Sequence, residues 1–285
     1  RDNAHKLGSF GAVGIEDGSI TPCDPVLVAL AINGLLSWLP QWFTRQDGRI
    51  DLVGEALTDI LIHGLRSHRE ASSRHTIPAE ISVQKAPREI FDRKAQARLK
   101  REALLKAATD SFNQKGVSGT SLDAVVKTLN VTKGTFYYYV SSKDDLLFQC
   151  YARSLDLAQD LLNQADAIGA NGWEKLELAG RAIIDLHCGP NGPIAMFSGV
   201  TALSPERKAE ISERVGLAYQ TTIRFIHEGF ADNSIRQCEL MPTFGVLVGS
   251  TIWLPKWYSP EGPRTPGQIA DAFYSLFAHG LLARS

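Results

Sequence analysis

Apolar positions spaced three and four residues apart recur over most of the chain, whereas the strict alternation of a half-buried strand does not. From residue 92 the pattern predicts a long helix with Leu99, Ala103, Ala107 and Phe112 near one stripe and Gly116 as its stop. Ser121 can cap a short helix whose Val125, Val126 and Leu129 share a face, and Asn130 tolerates the left-handed turn that ends it. Val131 is expected to drop into the small core. Phe136 and Val140 lie four apart and turn inward from a second, brief helix, leaving Thr132, Lys133, Thr135 and Tyr139 outward with Gly134 between them. Ser142 caps the next helix, with Asp145 in a capping-box position, and that helix can run to about residue 167. Residues 169–172 form a turn, Trp173 opens a helix ending near 188, residues 189–193 form a hinge, and Ser204 with Pro205 opens a helix to about 230. No stretch reads as a strand, so the fold class is all-α, with a helix-turn-helix over 121–143.

The apolar pattern also repeats. Sliding the chain on itself places Phe10 on Phe225, Gly14 on Gly229, Asp17 on Asp232, Ile20 on Ile235 and Cys23 on Cys238. Trp38, Leu39 and Pro40 then fall on Trp253, Leu254 and Pro255, and after one inserted residue His63, Gly64 and Leu65 fall on His279, Gly280 and Leu281. Self-similarity at a fixed spacing marks a duplicated structural unit. Two helices are predicted in each copy, over 25–39 and 51–66 and over 242–254 and 266–282. The first pair carries Val26, Leu30, Val53, Leu57 and Leu61 on apolar stripes but too little chain for a core of its own, so it is expected to pack on the second pair as an internal pseudo-dimer. Between the copies, residues 67–90 are polar and interrupted by Pro78 and Pro87, and read as a linker.

Composition changes this picture in two ways. At 285 residues and 44% hydrophobic the chain can bury a sizeable core, and its net charge is only −1. That charge is uneven. The segment 66–106, which leads into the helix-turn-helix, is rich in Lys and Arg, an electrostatic footprint suited to nucleic acid. The four cysteines show neither a paired motif nor metal-ligand spacing with histidine, and the expectation is a reduced, cytoplasmic protein without metal, cofactor or membrane span. Catalysis finds little support: His187 and Cys188 are adjacent on a helix and point about a hundred degrees apart, and Gly8, Gly11 and Gly14 follow no strand.

The run from Val131 to Leu147 closely resembles the DNA-binding signature of tetracycline-repressor (TetR) family regulators. Two positions depart from it: Asn130 stands where the turn usually has Gly, and Val140 where an aromatic is usual. Carried over residue by residue, the resemblance implies a DNA face of Thr132, Lys133, Gly134, Thr135, Tyr137, Tyr138 and Tyr139, with Ser121 at the start of the supporting helix, Lys143 as phosphate clamp and Phe136 in the core. It further implies a helical ligand-binding and dimerisation domain, in which Phe148, Tyr151, Trp173, Phe197, Tyr219 and Phe225 are the large residues placed to line a site for a small hydrophobic effector, of the acyl-CoA or fatty kind. The domains so expected are a partial first ligand domain (1–67), a linker (68–90), a DNA-binding domain (91–145) and a ligand-binding and dimerisation domain (146–285). The chain opens at Arg1, which fits a processed or truncated product lacking the first copy's DNA-binding helices. The function expected is an operator-binding repressor, not an enzyme, acting as an internal pseudo-dimer or a homodimer. The rival is a ligand-binding or scaffolding relative that has lost DNA binding.

Overall fold

A computed structural model describes residues 2–43, 50–67, 81–83 and 93–283. Among them the chain is helical throughout: α1 (Asp2–Glu16), α2 (Pro25–Trp42), α3 (Ile50–His63), α4 (Arg93–Gly119), α5 (Leu122–Leu129), α6 (Lys133–Tyr139), α7 (Lys143–Ile168), α8 (Gly172–Cys188), α9 (Pro205–Asp232), α10 (Leu240–Ile252) and α11 (Pro266–His279). Among the described residues the only β pairing is two isolated bridges, Ile20 with Leu282 and Arg66 with Ile235. Most of the predicted linker lies outside the described residues. Its Ile81–Val83 portion packs on α7 and α8, where Ser82 O accepts from Gln164 Nε2 at 3.3 Å.

The two bridges are images of one another under the sequence repeat, and so are the bonds around them. Leu65 N donates to Phe277 O at 2.7 Å and Leu281 N to Leu61 O at 2.9 Å. Thr21 N donates to Leu281 O and Arg236 N to Leu65 O, at 2.9 and 2.8 Å, and Ser67 N to Ser234 O and Ala283 N to Ser19 O, both at 3.2 Å. Each bond thus has an equivalent running the other way, as expected of two copies facing each other across a two-fold axis. The most extensive helix contact among the described residues is α2 on α10. They cross backbone to backbone because Gly34 and Gly249 are equivalent and opposed: a Cβ on Gly34 would lie 3.0 Å from Gly249 O. Val53, Leu57 and Leu61 share one apolar core with Phe273, Leu276 and Phe277. The ion pairs Asp24–Arg264 (2.7 Å) and Asp59–Arg236 (2.6 Å) tie the rim. The copies differ where only one is covered. Phe10 on α1 is 75% exposed, while its counterpart Phe225 is 0% exposed beneath α8, with Lys175 Nζ 5.5 Å from its ring centroid.

Several local expectations shift. The buried stripe of α4 is Leu104, Leu105, Ala108 and Phe112, whereas Leu99 is 63% exposed and Ala103 is exposed. The predicted stripe tracked one helical row, and packing on α7 selected its neighbour. Gly116 breaks the helix as read, with φ of 73°. Val131 is exposed rather than in the core, because Val126 and Phe136 close that space first. α1 carries no strong apolar stripe in the sequence and was not anticipated.

Candidate DNA interface and ligand cavity

The recognition element is built from local signals. Ser121 Oγ accepts from Ala124 N (3.1 Å) to start α5, and Asn130, at φ 52° and ψ 41°, takes the left-handed conformation that closes it. Thr132 Oγ1 accepts from Thr135 N at 3.2 Å and caps α6. At seven residues α6 is too short to persist alone. It is held by Phe136 and Val140, both buried against Leu105, Val125 and Leu146. That anchoring leaves Thr132, Lys133, Gly134, Thr135, Tyr137 and Tyr138 exposed, Tyr138 by 81%. A Cβ on Gly134 would meet no atom closer than 4.0 Å, so backbone there can approach a groove.

Tyr139 is the exception. Three residues after Phe136 it shares the inner flank of the helix, half-buried, with its carbonyl accepting from Gln149 Nε2 at 3.0 Å. Lys133 is held 2.8 Å from Asp123, whose carboxylate raises the ammonium's pKa above its ordinary value. Engaging a phosphate would mean exchanging one anion for another. Lys143 is the first residue of α7, after Ser142, whose Oγ accepts from Asp145 N (3.0 Å). Asp145 reaches past the cap to Ser141 N (2.8 Å), so the capping box is displaced by one residue.

This head is bonded to the rest of the chain through residues 189–207 and through residues 255–256, where Gln114 Nε2 donates to Pro255 O at 2.6 Å and Lys256 Nζ to Asn113 O. Asn113 of α4 donates to Ile194 O and accepts from Met196 N, each at 2.9 Å, and is buried. Arg153 joins Glu102 Oε2 to Asn191 O, both at 2.6 Å. Arg207 pairs with Asp144 (2.6 Å) and Asp145 (3.1 Å).

Behind that segment lies an almost wholly apolar cavity of about 110 Å³ among α7, α8, α9, α10 and α11. Ala158, Ala179 and Ala218 open it, Tyr274 fills the space over Gly180, and Leu155, Leu176, Ile183, Ile194 and Leu247 form much of its wall. Of the six large residues expected to line a site, Tyr219 alone does so among those described. Its ring meets Trp38 of α2 at 6.0 Å, bringing the first copy to the cavity wall. Phe148 instead packs under Arg207, whose guanidinium carbon is 5.2 Å from the ring centroid. Tyr151 is 1% exposed in the core of the head, and Trp173 donates to Glu177 Oε2 at 2.9 Å. Phe225 is enclosed beneath α8, and the Phe197 side chain lies outside the described residues.

The cavity wall also holds His187, which had been set aside with the Cys188 pairing. It is buried, neither ring nitrogen has a hydrogen-bond partner, and burial lowers its pKa from 6.5 to about 3. The folded state therefore keeps this imidazole neutral where the unfolded chain takes up a proton, and stability falls as pH drops from 6.5 toward 3. Between pH 6.5 and about 5 the loss from this residue should be roughly 2 kcal/mol. Urea titrations of wild type and His187→Leu across that window measure it, and parallel pH dependences would refute it. Among the described residues no group of His, Cys, Asp and Glu is placed to hold a metal ion, and no helix is long and apolar enough to cross a membrane.

A family model described as "Tetracyclin repressor-like, C-terminal domain" matches residues 4–65 and 169–281, and one described as "Bacterial regulatory proteins, tetR family" matches residues 104–150. The chain is 24% identical over 186 residues to the uncharacterized HTH-type transcriptional regulator YhgD of Bacillus subtilis, covering 65% of this chain and 97% of that protein. It is 20% identical over 204 residues to the HTH-type transcriptional repressor KstR2 of Mycolicibacterium smegmatis, covering 67% and 94%. In fold it is similar to the TetR family regulator PfmR from Thermus thermophilus (TM-score 0.54, 21% identity, 62% of this chain and 97% of that one). AibR, solved in complex with isovaleryl coenzyme A and operator DNA, is similar to the same degree (TM-score 0.54, 24% identity, 62% and 97%).

Proposed function

The chain belongs to the tetracycline-repressor family of transcriptional regulators, and from that premise we propose that it represses by holding operator DNA through α6 and releases it when a small hydrophobic effector enters the cavity. The observation that carries the reading is the outward row Lys133, Thr135, Tyr137 and Tyr138 on a helix fixed by buried Phe136 and Val140. Such a row offers a cation to phosphate, and a hydroxyl and phenol rings to base edges and sugars. Coupling runs through Ile194, whose side chain lines the cavity and whose carbonyl is held by Asn113 of the head. An occupant that displaces Ile194 moves α4, and it shifts DNA affinity only by as much as it prefers that arrangement. KstR2 is named a repressor and AibR binds an acyl-CoA together with operator DNA, so an acyl or similarly apolar effector suits the family.

The same premise divides the chain into a partial ligand domain (1–67), a linker (68–90), a DNA-binding domain (91–145) and a ligand-binding and dimerisation domain (146–285). The reciprocal bonds across the repeat support an intrachain pseudo-dimer. With those helices already paired, this chain would engage a half-site as a monomer, and that filled interface is also what favours the scaffold reading.

DNA selected from a random duplex pool tests the assignment. Lys133→Ala and Lys143→Ala should each weaken binding to all sequences alike and lower the salt slope by roughly one. Thr135→Ala should change base preference instead. Full affinity in Lys143→Ala at low salt would favour the scaffold.

A further inference from the structure

The two copies can be compared position by position, and at one place they differ in what they hold. Arg236 follows the bridge at Ile235 and lays its guanidinium over the end of α3. Its Nε donates to Gly64 O (2.6 Å), and a terminal nitrogen donates to Asp59 O (3.3 Å) and Asp59 Oδ2 (2.6 Å). The repeat counterpart of Arg236 is Thr21, which follows the bridge at Ile20. Main chain is the same in both places, since Thr21 N donates to Leu281 O as Arg236 N does to Leu65 O. The side chains part company. Thr21 Oγ1 turns to Leu282 O (3.1 Å), which leaves Gly280 O without the donor that Gly64 O has.

Where a guanidinium would lie in this copy there is an open cavity of about 490 Å³, lined by Thr21, Asp24, Ser275 and Gly280 among others. Ser275 and Gly280 are the counterparts of Asp59 and Gly64, so the cavity sits on the acceptor positions that hold Arg236 in the other copy. Its volume falls in the range of about 300–1,000 Å³ usual for small-molecule sites. Val28, Ala272 and Leu276 supply an apolar wall. Among the described residues the lining includes two carboxylates, Asp24 and Asp271, and no Lys or Arg; Cys23 and His279 are its other titratable groups. Asp24 pairs with Arg264 and Asp271 with Arg181, each at 2.7 Å, and neither arginine lines the cavity.

We infer that this cavity binds a small molecule carrying a guanidinium group on a short alkyl stem, held as Arg236 is held in the other copy. The planar fork is what selects it. Gly64 O and Asp59 O take two nitrogens of one cation, and Gly280 O and Ser275 O stand in their places, whereas an ammonium offers a single point. The carbonyl end of α11 adds a field that favours a cation. Ser275 has a hydroxyl where Asp59 has a carboxylate, so the negative charge facing the ligand comes from Asp24 and Asp271. The site is separate from the cavity among α7 to α11 and depends on neither the DNA nor the effector reading.

The probe is n-propylguanidinium, which reproduces the arginine side chain beyond its Cα, and n-pentylammonium is the cation of equal length without the fork. Each is titrated into the full chain by calorimetry. The amide of Leu281, which shares its peptide group with Gly280 O, is followed by NMR. Propylguanidinium should bind about fivefold to tenfold more tightly than pentylammonium and should shift the Leu281 amide nitrogen. Thr21→Arg with Ser275→Asp installs the residues of the other copy, fills the cavity from within, and should weaken binding by about tenfold or more. Arg284→Ala removes the guanidinium next in sequence to the lining residue Ala283, and should bind as wild type does. Equal affinity for the two cations, an unmoved Leu281 amide, or full binding to the double variant overturns the inference. So does failure of both wild type and Arg284→Ala to bind the probe. Binding by Arg284→Ala alone would make the occupant the chain's own arginine and overturn the small-molecule ligand. Should the double variant not fold, the Leu281 response of wild type decides.

Discussion

Phe136→Ala is expected to destabilise the DNA-binding head by about 3–5 kcal/mol and to abolish DNA binding. Phe136 is 0% exposed and, with Val140, joins a seven-residue helix to the core formed by α4, α5 and α7. So short a helix has no stability of its own to fall back on, since nucleation is unfavourable and few hydrogen bonds follow it. Truncation leaves a void at that joint and frees α6 to fray. Tyr138→Ala provides the contrast: at 81% exposure it should shift stability by less than about 0.5 kcal/mol while still weakening binding. Denaturant unfolding and DNA titration of both variants measure this. A Phe136→Ala protein that stays folded within about 1 kcal/mol of wild type and binds DNA would show that α6 is held by something else.

Gly64→Ala, and its repeat-equivalent Gly280→Ala, should each cost roughly 3 kcal/mol or more. Two penalties coincide there. Gly64 has φ of +75° and Gly280 of +70°, conformations that strain an L side chain. A Cβ on Gly64 would also lie 2.4 Å from Ala278 O, and one on Gly280 2.2 Å from Ile62 O. These are backbone atoms held in the reciprocal bonds between the copies, so neither can yield without breaking them. Gly18 separates the two effects, because its φ is +80° but nothing lies within 4 Å of an added Cβ. Gly18→Ala should carry strain alone, about 1–2 kcal/mol. Thermal denaturation of the three variants gives the comparison. Equal losses would mean that the copies do not meet as tightly as the bonds across the repeat indicate.

What could be read without the structure was whatever depends on neighbours along the chain. Ser121, Asn130, Thr132 and Ser142 act within four residues of themselves, so the short helices between them were legible, and with them the exposed row on α6. The repeat was legible for another reason: matching residues such as Gly64 and Gly280 must satisfy the same contact from opposite sides, which leaves the same letters in both places. Which row of α4 faces inward was decided by α7, and Tyr139 lies half-buried on the flank of α6 that Phe136 anchors to the core.

The cavity escaped the sequence reading most completely. Large aromatics drew attention as possible walls, but size is what lets Tyr151, Trp173 and Phe225 fill space, and they are core. Room for a ligand opens where side chains stop short, at Ala158, Ala179 and Ala218 on three helices. Small residues carry no such signal one at a time. Only the packing of α7, α8 and α9 sets them opposite each other, and only that packing leaves His187 among apolar neighbours with both nitrogens unmet.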